Sequence, residues 1–171
     1  MYVLPELIKR NLSGAFFPPR AVIEQDKLLD VNAIHHILSK TSNRELLVSD
    51  LYKHCLNNGV SQVQLNSYYK DFGVPNRWDD ADTIFIKRML QHVLPENTRN
   101  LITTSLFKKY VGRSPQEFSS KLYMNIQEVS TLVKKGMYIG SHGSMHYWLD
   151  RCSEEKQKED IVESLSFLES V

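Results

Sequence analysis

Gly136-Met137-Tyr138-Ile139-Gly140-Ser141-His142-Gly143-Ser144-Met145-His146 is the stretch on which the reading of this chain turns. Its apolar run, bounded by Gly136 and Gly140, reads as a short buried strand. Turn-forming residues follow and carry two histidines four apart, and Ser153-Glu154-Glu155 then opens a helix with its acidic residues first. A strand end that fixes one imidazole, and a tight Gly143-Ser144 turn that brings the second alongside, would aim His142 and His146 at one divalent metal. Zinc and its neighbours accept neutral imidazole nitrogen readily, and at least one further ligand is needed to complete a site. By spacing alone the plainer reading is the better one, because a chain with six histidines produces such a pair by accident. In that reading His142 ends a strand and His146 is a surface residue at a helix start.

The residues around the pair bring a family into view. The segment 136–146 resembles the second motif of polysaccharide deacetylases, the NodB-homology or carbohydrate esterase 4 group, written G-x-E-I-(G/A)-(S/N)-H-(S/T)-x-x-H. Leu149-Asp150-Arg151-Cys152-Ser153-Glu154-Glu155 is similar to the helix start L-x-x-L-S-x-E that follows it in that family. Tyr138 stands where the family has an acidic residue, and Gly143 stands where it has Ser or Thr. The second change removes a hydroxyl that helps to hold the ligand loop. Near the start, Leu4-Pro5-Glu6-Leu7 and Gly14-Ala15-Phe16-Phe17 resemble the family's V-L-P-x-L helix and the A-T-F-F run of its second strand.

From this resemblance follows an α/β fold, a partial NodB-like (β/α) barrel with a large all-helical insertion after the second family strand. The implied segments are 1–23 for a barrel helix and strand, 24–123 for the helical insertion, and 124–171 for the barrel segment with the His-x-x-x-His motif. The resemblance also implies a metal-dependent hydrolase that removes N- or O-acetyl groups from a carbohydrate in bacterial polysaccharide metabolism. His142 and His146 are then metal ligands, and the cofactor is a divalent metal, zinc first. The family's Asp-Asp motif, with the third ligand and the catalytic base, is expected upstream of Met1, and its later motifs beyond Val171. Asp26 and Asp150 are the internal groups that could stand in as ligands. The alternative is a non-catalytic, deacetylase-like protein that binds carbohydrate or a partner through its helical part.

Bulk properties narrow the field. At 171 residues the chain is long enough to bury a real core, and 21 Lys and Arg against 20 Asp and Glu leave it near neutral. That balance gives no reason to expect nucleic acid or an anionic membrane as a partner. A hydrophobic share of 42% with 7 Gly and 6 Pro argues against disorder. Cys55 and Cys152 are too few for a disulfide framework, and no apolar run reaches the length of a membrane span, so a cytoplasmic protein is expected.

Element by element, residues 2–11 read as a helix with Val3, Leu4, Leu7 and Ile8 on one stripe, and Ala15-Phe16-Phe17 as a strand stopped by Pro18-Pro19. A run of helices follows. Asp30 is the expected N-cap of the first, and Leu47, Leu51 and Cys55 mark the inner face of the next, with Gly59 past its end. Asp79 or Asp80 opens the helix carrying Ile84, Phe85, Met89 and Leu90, and Ser114-Pro115-Gln116-Glu117 reads as a capping box. Adjacent residues on a helix point about 100° apart, so His35 and His36 do not share a metal. The Asp79-Asp80-Ala81-Asp82 cluster is accounted for by a helix start, where acidic residues are favoured. His54 and His92 have no partner at useful spacing, and no phosphate-cradling glycine loop or Gly-x-Ser-x-Gly occurs.

Overall fold

The computed structural model describes residues 2–171, so Met1, the first residue of the expected barrel segment, lies outside the described residues. The chain separates into two compact units, residues 28–115 forming one, and the residues up to Lys27 joining 116–171 in the other.

Among the described residues helices predominate, and β-structure is confined to one pair of strands, β1 (Ala15–Phe16) and β2 (Tyr138–Ile139). They run parallel, with Ala15 opposite Tyr138 and Phe16 opposite Ile139. This corrects the expected (β/α) barrel. Each apolar run is too short for a longer ladder: Pro18 and Pro19 remove donors after β1, and the chain leaves the sheet at Gly140 after β2. Phe17, expected in the strand, lies outside it, and its ring meets Tyr138 edge-on at 6.0 Å. That ring also explains Gly140, since a Cβ there would stand 2.5 Å from a Phe17 carbon.

The unit holding the strands is built from α1 (Val3–Lys9), α2 (Arg20–Glu24), α8 (Pro115–Leu122), α9 (Ile126–Lys134) and α10 (Glu154–Glu169). A small core of Leu4, Leu132 and Met137, with Leu7, Phe16, Met124 and Ile139 against it, joins α1 and α9 to the sheet. Asn125 and Glu128 form a reciprocal capping box that starts α9, and Gly136, at φ +74°, turns the chain from α9 into β2. α10 opens on Ser153, whose hydroxyl accepts from the Lys156 amide.

The second unit is all helix: α3 (Asp30–Lys40), α4 (Arg44–Asn57), α5 (Gln62–Phe72), α6 (Ala81–Arg88) and α7 (Glu96–Val111). α3 and α4 both pack on α7, and α6 packs on α4 and α5. Ile34, Ile37, Leu47, Leu51, Cys55, Phe85, Leu90, Ile102, Leu106 and Phe107 are buried there. α6 runs on into one π-helical turn, Met89–Val93, which keeps Met89 and Leu90 inside. Asp30 is not the cap of α3. It lies within the first turn, Leu29 holds the cap position without a side-chain bond, and Asp30 faces Arg99 of α7 at 3.5 Å. Asp80 caps α6, its carboxylate accepting from the Thr83 amide at 2.7 Å. Asp79 pairs with Lys87 and Asp82 accepts from Tyr69, so each acid of the Asp-rich cluster has a local partner.

The Thr83 amide and hydroxyl hold the Asp80 carboxyl below its ordinary 3.8. Its stabilising effect is therefore present above pH 3.8 and lost as the pH falls through the lower folded value. Asp80→Ala is expected to cost about 1 kcal/mol near neutral pH and to flatten the acid limb of a stability-against-pH curve measured in urea. Phe85→Ala should cost about 3–5 kcal/mol at every pH, because it leaves a cavity rather than an unpaired charge.

Candidate metal centre

The loop after β2 is fastened on two sides before it presents its histidines. On one side the amides at the start of α2 reach it, Arg20 N–H donating to the Gly143 carbonyl at 3.3 Å and Ala21 N–H to the Ser144 carbonyl at 2.9 Å. On the other stands α10. The Asp160 carboxylate, 3% exposed, accepts from the Ser144 amide at 3.1 Å and from the Met145 amide at 2.7 Å. One turn on, Ser164 Oγ lies 2.6 Å from Ser141 Oγ. Glu163 accepts from the Ser144 hydroxyl at 2.7 Å and from Arg20 at 2.6 Å, and Arg20 also pairs with Glu24 at 2.7 Å. The fully buried Ser144 is thus the hub that joins α2 to α10.

Held in this way, the loop places the His142 and His146 rings with centroids 4.9 Å apart and planes inclined by 50°. Both residues are exposed. With zinc–nitrogen bonds of about 2.0–2.1 Å and tetrahedral angles, two imidazoles on one ion have their ring centres about 5 Å apart. The 4.9 Å separation of the two rings is close to that spacing. His146 reaches this placement at φ +59°, a left-handed conformation that costs a non-glycine residue energy and is kept only where the surroundings enforce it. It lies in the loop and not at a helix start, α10 beginning eight residues later at Glu154.

Gly143, read from the sequence as the loss of a hydroxyl that holds the loop, is required by the backbone. Its φ is +76°, and a Cβ there would stand 2.7 Å from Asp160 Oδ2. The hydroxyls that hold the loop belong to Ser141, which accepts from the Gly143 amide at 3.2 Å, and to Ser144. Tyr138, in place of an acidic residue, lies exposed on β2 against Phe17. Beside the pair, the Tyr147 ring carries the Lys156 ammonium at 4.2 Å and that of Lys27 at 5.6 Å.

Among the described residues no third His, Cys, Asp or Glu joins the two histidines. Asp150 pairs with its neighbour Arg151 at 3.3 Å, and Asp26 lies in a left-handed turn after α2. His35 and His36 are neighbours on α3, in the other unit. His92 packs its ring edge-on against Phe72 at 6.1 Å.

Arg20, Asp160 and Glu163 were not marked by sequence reasoning, and Ser144 was read only as a turn residue. One signal was available in α10, whose buried residues are Asp160, Ser164 and Phe167 while Ile161, Val162 and Leu165 are exposed. A helix whose inner stripe contains an acid and a serine has polar groups of its own unit to satisfy.

Comparison with protein-family models, with curated proteins and with solved structures finds no match to this chain. No helix of the described residues is long and apolar enough to cross a membrane.

Removing the clamp leaves two inward-facing amides without an acceptor, so Asp160→Ala should destabilise its unit by on the order of 3 kcal/mol in urea unfolding. Gly143→Ala is expected to cost on the order of 2 kcal/mol through backbone strain and contact with Asp160. Losses under about 0.5 kcal/mol, the range of ordinary surface changes, would contradict this account of the loop.

Proposed function

We propose that the chain is part of a metal-dependent deacetylase acting on a carbohydrate, with His142 and His146 as two ligands of a zinc-type centre. The observation that carries this reading is the 4.9 Å ring separation, which suits joint ligation, on a loop held against rotation by a buried carboxylate. The motif 136–146, which resembles the second motif of polysaccharide deacetylases, supports the same chemistry. The proposal does not depend on a barrel. It needs the two imidazoles side by side and a further ligand beyond the pair.

Each residue then has a stated task. His142 and His146 offer imidazole nitrogen from an exposed loop, where a substrate and a third ligand from outside the pair can approach. Asp160 accepts the two amides of the turn between them, which fixes the backbone from which both rings project. Ser144, Glu163 and Arg20 tie that turn to α2. When bound, a divalent ion at this position supplies Lewis-acid polarisation of the acyl oxygen and lowers the pKa of a water.

Zinc titration by calorimetry tests the proposal on wild type, His142→Ala and His146→Ala. One equivalent should bind to wild type, with affinity reduced at least tenfold (about 1.4 kcal/mol) in either variant. Binding that survives both substitutions unchanged would sink the assignment.

A further inference from the structure

The helical unit contains a cleft of about 680 Å³ that the metal chemistry does not use. Its volume falls in the range of small-molecule sites, about 300–1,000 Å³. One wall is a face of α4. Leu47, Leu51 and Cys55 turn into the core, and a second stripe carrying Glu45, Val48, Tyr52, Lys53 and Leu56 lines the opening. Glu45 and Leu56 are eleven residues apart, so the wall runs about 16 Å along the helix axis. Tyr69 of α5 and Asp82 of α6 form the opposite side.

Two tyrosines are fixed in the lining of this cleft. The Tyr52 hydroxyl donates to the Leu65 carbonyl at 3.4 Å, and the Tyr69 hydroxyl donates to Asp82 at 2.5 Å. Both rings pack on the buried Phe85, with centroids 5.8 Å and 4.9 Å from it. The Asp82 carboxylate pushes the Tyr69 hydroxyl up to about 12, so this contact remains a donor at neutral pH. The rings are therefore rigid surfaces, costing little entropy to present.

The polar lining selects the ligand class. Glu45 and Asp82 are acceptors, Lys53 is a donor, and Asn57 and Gln62 are both. Two carboxylates against one ammonium disfavour an anion, and the polar groups disfavour a wholly apolar guest. A neutral polyhydroxyl ligand meets both demands: each hydroxyl donates and accepts, while the C–H face of a sugar ring lies on an aromatic side chain.

We propose that this cleft binds a neutral saccharide chain along α4, between Tyr52 and Tyr69. This rests on the proposed function only in taking carbohydrate as the substrate class, and it needs neither histidine nor metal.

The test is an NMR titration of the full chain with neutral tetrasaccharides of glucose, mannose, galactose and N-acetylglucosamine. Each is added to about 10 mM, which registers millimolar affinity. An acidic tetrasaccharide of galacturonic acid serves as the counter-probe. At least one neutral sugar should shift the Asn57 and Gln62 side-chain amides. Asn57→Ala and Tyr69→Phe, which remove single polar groups, should each weaken that binding severalfold, while His142→Ala and added chelator leave it unchanged. Loss of sugar binding with His142→Ala would assign it to the metal loop and overturn the cleft. So would no response to any neutral sugar, stronger binding of the acidic one, or shifts that persist in both cleft variants.

Discussion

The Asp160 carboxylate holds the candidate site together. It lies inside its unit and accepts two consecutive backbone amides from the loop after β2. Those amides could not otherwise be satisfied away from water, and a carboxylate left alone there would be costly. Each group is thus the reason the other can be buried. Gly143 follows from this contact, because a side chain there would occupy the space the carboxylate needs. The left-handed backbone of His146 follows as well, since the fixed turn determines where the chain leaves it.

Charge and packing are arranged differently in the two units. The strand-bearing unit has a small apolar core around Leu132 and Met137, and it spends inward-facing positions of α10 on Asp160 and Ser164. Those positions fix a loop rather than fill a core, while Ile161, Val162 and Leu165 of the same helix are exposed. The helical unit buries large apolar side chains from all its principal helices, and its acids serve as caps and ion-pair partners. Its chemistry lies instead on the outer stripe of α4, which is apolar enough to hold a ligand and polar enough to orient one.

Much of the helical unit was legible in the sequence. Leu47, Leu51 and Cys55 recur at helical spacing, and burial on one face is the direct result. Asp80 caps α6 because a short acceptor before an apolar run satisfies an exposed amide locally. Asp30 failed as a cap because the helix begins one residue earlier than expected, which places Asp30 in the first turn facing Arg99. The barrel failed for another reason. Two short apolar runs fit β-structure, but the barrel was implied by a motif resemblance, motifs do not count strands, and among the described residues only one parallel pair forms.

By itself the sequence determined the helices of residues 28–115, the turn-rich segment after Ile139 and the positions of the two histidines within it. These are local consequences of spacing, caps and turn residues, and each is written within a few neighbouring positions. The tertiary structure alone decided that the imidazoles stand 4.9 Å apart and that Asp160, Glu163 and Arg20 hold the loop that carries them. Arg20 and Ser144 are separated by 124 positions, and no local rule links such residues. Only the closing of one helix onto another brings their charges and amides within reach.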